Sequence, residues 1–164
     1  MTESENLRLN IRRAAIEDLD ALGKLGGELV FQHVAYDKLR FQPNATIVED
    51  YTEFFKNEIA NESSVVLIAE LNAEIAGYAF IRFEAASFVE LLAAGAWLHD
   101  IHLVEAARGK GVSEPFFAAI IEAARNLGSD NLMLSVSPHN RVARKFFERH
   151  GFRPTMQEMR LDFE

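Results

Sequence analysis

The chain has 164 residues, 49% hydrophobic and 26% charged, which suits one domain over residues 1–164 with a sizeable core, and its polar start, MTESENLRLNIRR, reads as neither a secretory leader nor a membrane span. It holds no cysteine, which excludes disulfides, thiolate metal sites and cysteine nucleophiles and fits a cytoplasmic protein. A formal net charge of −8 argues against nucleic acid as a partner and suits a cationic one.

Leu7 to Arg13 alternates apolar and polar residues and reads as a strand. Glu17 to Phe31 spaces Leu19, Leu22, Leu25 and Leu29 at helical intervals, with Gly26 and Gly27 weakening its interior. Residues 32–45 read as a polar, aromatic connection holding His33, Tyr36, Asp37 and Pro43, followed by a helix over Ile47 to Ile59. Val65 to Leu71 and Ile75 to Phe83 are β-rich runs joined around Asn72, Ala73 and Glu74, a hairpin. The aromatic stretch FEAASFVE, Phe83 to Glu90, reads as packing and an adjoining loop, and Trp97 to Val104 as a further strand.

From Val112 to Leu127 the residues Phe117, Ile120, Ile121, Ala124 and Leu127 recur at helical spacing, with Gly128 as the C-terminal cap. Asn131 to Ser137 reads as a strand, Asn140 caps a helix from Arg141 to His150, and Gly151 closes it. A last strand is expected within Arg153 to Phe163. The order predicts a mixed α/β (α+β) domain, a mostly antiparallel sheet flanked by helices.

Between the strand ending at Val104 and the helix from Val112 stands the run RGKG. Unpaired N–H groups at a helix start carry partial positive charge, glycines let an anion approach the backbone, and Arg108 adds a multidentate donor. Such a turn can cradle a diphosphate, although a glycine-rich helix entry is as often only a turn. Two nucleotide motifs fit poorly. Gly111, not serine or threonine, follows Lys110, and two glycines late in the chain do not make a dinucleotide fingerprint.

The run RGKGVS, the downstream SVSPHNRVARKFFERHGF and the opening LNIRRAAIEDLDAL together resemble the GNAT superfamily of N-acetyltransferases. The likeness covers nearly the whole chain in element order and is most specific over Ile101–Phe152, where Arg108, Gly111, Asn140, Ala143, Phe146, Gly151 and Phe152 match the family pattern. It implies acetyl-CoA, or another acyl-CoA, as donor and no metal. The amides of Gly109, Lys110, Gly111, Val112, Ser113 and Glu114 would hold the pyrophosphate, and Asn140 would add a contact beside its capping role. The backbone of Ile101, His102 and Leu103 would pair with the pantetheine arm and polarise the thioester carbonyl. His33, Tyr36 and Asp37 fall where the family shapes its acceptor pocket, for a small-molecule or protein amine. The chain departs from the pattern at Ser113, which replaces the usual small Gly or Ala but keeps its N–H, and carries Pro115 in the first helical turn, where a missing N–H is tolerated. Phe147 stands in place of the frequent thiolate-protonating tyrosine, and Ser135 where some members carry a glutamate base.

Amine acetylation needs a base near neutral pH. The strand WLHDIHLVE offers His99, Asp100 and His102. Strict alternation puts His99 on the face of Ile101 and Leu103, and Asp100 and His102 on the other. With the two rings on opposite faces, a shared metal ion is not expected. A half-exposed sheet residue is as good a reading of either histidine as a catalytic one. Acetyl transfer to a primary amine is the reading adopted, with a non-catalytic acyl-CoA sensor as its rival and a homodimer compatible with both.

Overall fold

A computed structural model describes residues 7–163. Its strands are β1 (Leu9–Arg13), β2 (Ser64–Leu71), β3 (Glu74–Glu84), β4 (Gly95–Leu103) and β5 (Leu132–Leu134). Its helices are α1 (Leu19–Tyr36), α2 (Ile47–Ile59), α3 (Ser113–Asn126) and α4 (Arg141–Arg149). The five strands form one sheet in the order β1-β2-β3-β4-β5, antiparallel except for the parallel pairing of β5 with β4.

The central strands are apolar at consecutive positions because both faces of the sheet are covered. Val65, Leu67, Ala79, Ile81 and Leu98 pack with Phe116, Phe117 and Ile120 of α3 and Phe147 of α4. On the opposite face Val66, Ile68, Tyr78 and Phe80 pack with Leu22, Leu25 and Leu29 of α1 and Phe55 of α2. The β2–β3 hairpin closes on a two-residue turn in which Asn72 and Ala73 have φ of 54° and 67°, the left-handed pair that matches strand twist. The glycines that weaken α1 as an isolated helix have a packing reason. A Cβ on Gly26 would lie 2.3 Å from the Tyr51 ring, and one on Gly23 would lie 2.1 Å from Thr52 Oγ1. Their absence lets α2 approach α1 closely and seats Tyr51 against it.

Three expectations need correction. The first helix runs on to Tyr36, so His33 and Tyr36 belong to its last turn and not to a connection. Local i,i+4 bonds extend it: His33 Nδ1 donates to the Leu29 carbonyl at 2.8 Å, and Gln32 Nε2 to the Tyr36 hydroxyl at 2.9 Å. The strand expected over Asn131 to Ser137 forms only at Leu132–Leu134, where it pairs with Ala96–Leu98; past Leu98 the two strands part. Residues 153–163 form no strand or helix and join no sheet, so there are five strands among the described residues where the sequence suggested six. Among the described residues no helix is long and apolar enough to cross a membrane.

Candidate functional site

The sheet's regular alternation fails at one point in β4. Asp100 pairs with Phe80 and Leu98 with Ile81, which leaves His99 as an extra, bulged residue. The bulge resets the faces. Leu98, Ile101 and Leu103 face α3 and α4, while His99 stacks on Phe80 and Trp97 on the α1/α2 face, at centroid distances of 5.3 and 6.2 Å. The predicted opposition of His99 to Asp100 and His102 is therefore overturned: all three lie on one face. The rings remain apart in their partners. His99 Nε2 donates to Glu84 Oε1 at 2.8 Å, and the buried His102 donates through Nε2 to Glu28 Oε2 of α1 at 3.1 Å. Among the described residues no three or more His, Asp or Glu side chains are grouped to hold a metal ion.

Asp100 stands at the centre of this face. The hydroxyl of the fully buried Tyr78 donates to its Oδ2 at 2.9 Å, and Tyr51 of α2 lies beside the same carboxylate. Burial pushes the Asp100 carboxyl above the usual range, partly offset by the Tyr78 hydrogen bond and by the nearby His99 and His33. Burial and the Asp100 charge likewise raise both tyrosines, so they stay neutral donors. Burial lowers the His102 pKa even though Glu28 pulls it upward. Neither tyrosine stands out in the sequence. Tyr78 looks there like one more aromatic in a strand, and only the β3–β4 register brings it near Asp100.

Beyond Leu98, β4 runs on without β5. The Val104 amide donates back to Ala76 of β3, and the His102 carbonyl also faces β3, at Gly77. Strand residues alternate their backbone groups between the two edges, so those of Ile101 and Leu103 point outward into the gap between β4 and β5. Arg108 reaches that edge, its Nε donating to the Leu103 carbonyl at 3.0 Å. The turn then bends through Gly109 and Gly111, whose φ values are 72° and 75°, and a Cβ on either would meet nothing within 4 Å. It delivers the chain to α3, whose cap Val112 has no side chain to satisfy the first amides. Lys110, Val112, Ser113 and Glu114 follow this path, with Pro115 in the first turn, where its missing N–H costs no helix bond. Glu114 is held by Arg149 of α4 and by His150, which caps that helix, at 2.7 and 2.8 Å.

The remaining candidates are placed more plainly. Asn140 caps α4, its Oδ1 accepting from the Ala143 amide at 3.1 Å. Phe147, 6% exposed, packs with Phe117, Phe146 and Phe152 in the core. His33 lies near Asp100 and packs edge-on with Tyr36 at 6.0 Å, whereas Asp37 shapes the next turn by accepting from the amides of Leu39 and Arg40.

The family model described as the Acetyltransferase (GNAT) family matches residues 32–152. An uncharacterized N-acetyltransferase of Bacillus subtilis, YhfO, is 29% identical over 147 residues, 88% of this chain and 89% of its own. Among solved structures, the tetramutant of the BH1408 protein of Bacillus halodurans superposes with a TM-score of 0.79 at 23% identity, over 94% of this chain and 99% of that one. A predicted acetyltransferase of Clostridium acetobutylicum, crystallised with acetyl-CoA, gives 0.73 at 21% identity, over 94% and 96%. At such identities the two structures establish likeness of fold.

Proposed function

Because the chain belongs to the GNAT acetyltransferase family, we propose that it moves an acetyl group from acetyl-CoA to a primary amine by direct attack in a ternary complex. The observation that carries this reading is the parting of β4 from β5 beside the glycine turn: outward-facing backbone at Ile101 and Leu103 runs into a turn of open, left-handed glycines at the start of α3. Acetyl-CoA supplies an activated acyl group on a good leaving thiolate. Amides from Gly109 to Glu114 hold the diphosphate, with Arg108 alongside. The Ile101 and Leu103 edge aligns the pantetheine arm and offers an N–H to the thioester oxygen, where negative charge grows as the amine attacks.

Asp100, one residue from that edge, takes the amine proton directly or through a water; its raised pKa suits this work near neutral pH. Tyr78 and Tyr51 fix its carboxylate, and His33 borders the acceptor from α1. The acceptor is a cationic small-molecule or protein amine, in keeping with a net charge of −8. Phe147 carries no hydroxyl for a departing thiolate, and this motivates the second reading, an acyl-CoA sensor without turnover. Calorimetric binding of CoA and thiol release from acetyl-CoA across a panel of amines separate the two. Amine-dependent release is expected; tight binding with no release on any amine would establish the sensor, and absence of binding would overturn both.

A further inference from the structure

The bulge that turns Asp100 to the α1/α2 face sets it beside a row of rings. His99 stacks on both Phe80 and Trp97, its plane 25° and 22° from theirs, so the three rings are nearly parallel. Phe54 of α2 meets Phe80 edge-on at 5.3 Å. The row is only partly covered: Trp97 is half-buried, His99 is exposed, and Phe54 is 39% exposed. On the α1 side His33, near Asp100, has Phe41 packed against it at 4.9 Å. Rings therefore flank this carboxylate on two sides.

The acidic groups that could hold a second cation are already engaged. Glu84, at the end of β3, accepts from His99 at 2.8 Å and lies 3.8 Å from Arg82. Glu28 accepts from His102 at 3.1 Å, and Asp37 from the amides of Leu39 and Arg40 at 3.0 and 3.1 Å. Glu58 is buried against Ser64 and Arg82. These carboxylates hold the chain to itself, while Asp100 is the one assigned to the amine. A polyamine or a sugar bearing several amines would have one charge answered there and would have to break an internal tie for the next.

We propose that the acceptor is a monoamine carried on an aromatic ring by a short aliphatic chain, the ring resting on the Trp97–His99 row while the nitrogen reaches Asp100. This rests on the transferase reading above and narrows it. Trp97 and Asp100 are three residues apart, about 10 Å along an extended strand, a span that a phenyl ring and a two-carbon amine chain bridge. Aromatic side chains reward such a ligand with offset or edge-on contacts that an aliphatic chain does not make. The net charge of −8 draws the amine in, and Trp97 selects what carries it.

Thiol release from acetyl-CoA with phenethylamine, butylamine, spermidine and a lysine-containing peptide tests the subsite. The kcat/KM for phenethylamine should exceed that for each of the others by about tenfold or more, the worth of one good ring contact and its burial. In Trp97→Ala the advantage over butylamine should fall to about threefold or less. In Trp97→Phe most of it should return, with butylamine turnover and CoA affinity level throughout. Phe54→Ala, at a more exposed ring of the same row, should narrow the advantage too, and it decides the matter if Trp97→Ala does not melt cooperatively. An equal or larger value for butylamine, spermidine or the peptide would overturn the subsite, as would an aromatic advantage that survives in both alanine variants. No release with any amine would overturn the transferase reading instead. The same amines titrated into CoA-loaded protein then decide the subsite: a preference for phenethylamine that Trp97→Ala removes supports it, and the lack of any preference overturns it.

Discussion

Asp100 and Phe147 show how far a residue's neighbours decide its chemistry. Burial raises the Asp100 carboxyl, so kcat/KM should rise with pH through an ionisation above the ordinary carboxylate value of about 3.9. Asp100→Asn should remove this limb and lower kcat/KM by roughly 10²–10⁴, with CoA affinity retained. His99→Gln and His102→Gln should keep the limb, and pH profiles of the three variants decide. The Asp100→Asn variant also makes a stability prediction. A group whose folded pKa is raised contributes most below its unfolded pKa and loses that contribution as pH rises through the folded value. At neutral pH the neutral amide of Asp100→Asn therefore escapes a cost that the carboxylate carries, and the variant's melting temperature should match or exceed that of the parent. Phe147→Tyr should have the reverse profile. Its hydroxyl would enter a core of Phe117, Phe146 and Phe152, costing about 1–3 kcal/mol in denaturant unfolding without raising turnover per folded molecule. The sequence offered Asp100 as one of three candidates. It could not select it, because the bulge at His99 and the hydroxyl of Tyr78 are facts of pairing between residues far apart in the chain.

At the level of elements, periodicity made α2, α3, α4 and the β2–β3 hairpin legible, and the glycine turn was recognisable from RGKG itself. What stayed hidden depended on partners. Gly26 weakened α1 on propensity alone, yet it is where the Tyr51 ring comes closest, and β5 is as short as the stretch of β4 that pairs with it. The glycine turn gives the clearest test at this scale. Gly111 holds φ of 75° in open space, so a valine there meets no atom of its own chain but must adopt a left-handed backbone, costing about 1–2 kcal/mol, or rebuild the turn. Gly111→Val should therefore weaken CoA binding about tenfold or more, while the fold survives. Arg108→Ala should weaken it less, since the amides remain. Titration calorimetry beside thermal melts measures both; unchanged affinity in two folded variants would remove the cradle from the donor site.

Across the whole molecule, α1 is fastened to two separate strands of the sheet, β1 and β4, and both fastenings respond to acid. At its start, Asp18 accepts two bonds from Arg12 of β1 at 2.7 and 2.9 Å, and Arg12 also reaches Glu70 of β2 at 2.8 Å. Further along, Glu28 accepts from His102 of β4. The Arg12 guanidinium holds the Asp18 carboxyl below the usual range, so this tie is intact above the unfolded value of about 3.9 and is lost as pH falls through the folded one. His102 is also lowered, chiefly by burial, so the fold favours its neutral ring. Its contribution is full above the unfolded value of about 6.5 and is lost as pH falls through the folded value. Stability should therefore decline in two stages on acidification, first at β4 and then at β1, with Asp100 opposing the first because its sign is reversed. Urea unfolding midpoints measured from pH 8 to pH 3 should show His102→Gln flattening the upper stage alone and Asp18→Asn the lower one alone. The upper stage bears on function, since α1 carries His33 and seats Tyr51 beside Asp100. If loosening at His102 disturbs the acceptor side, KM for the amine should rise in that pH interval while CoA affinity, set at the glycine turn and the far edge of β4, stays level. A common rise in both would mean that acid acts on the sheet as a whole and not through the seating of α1.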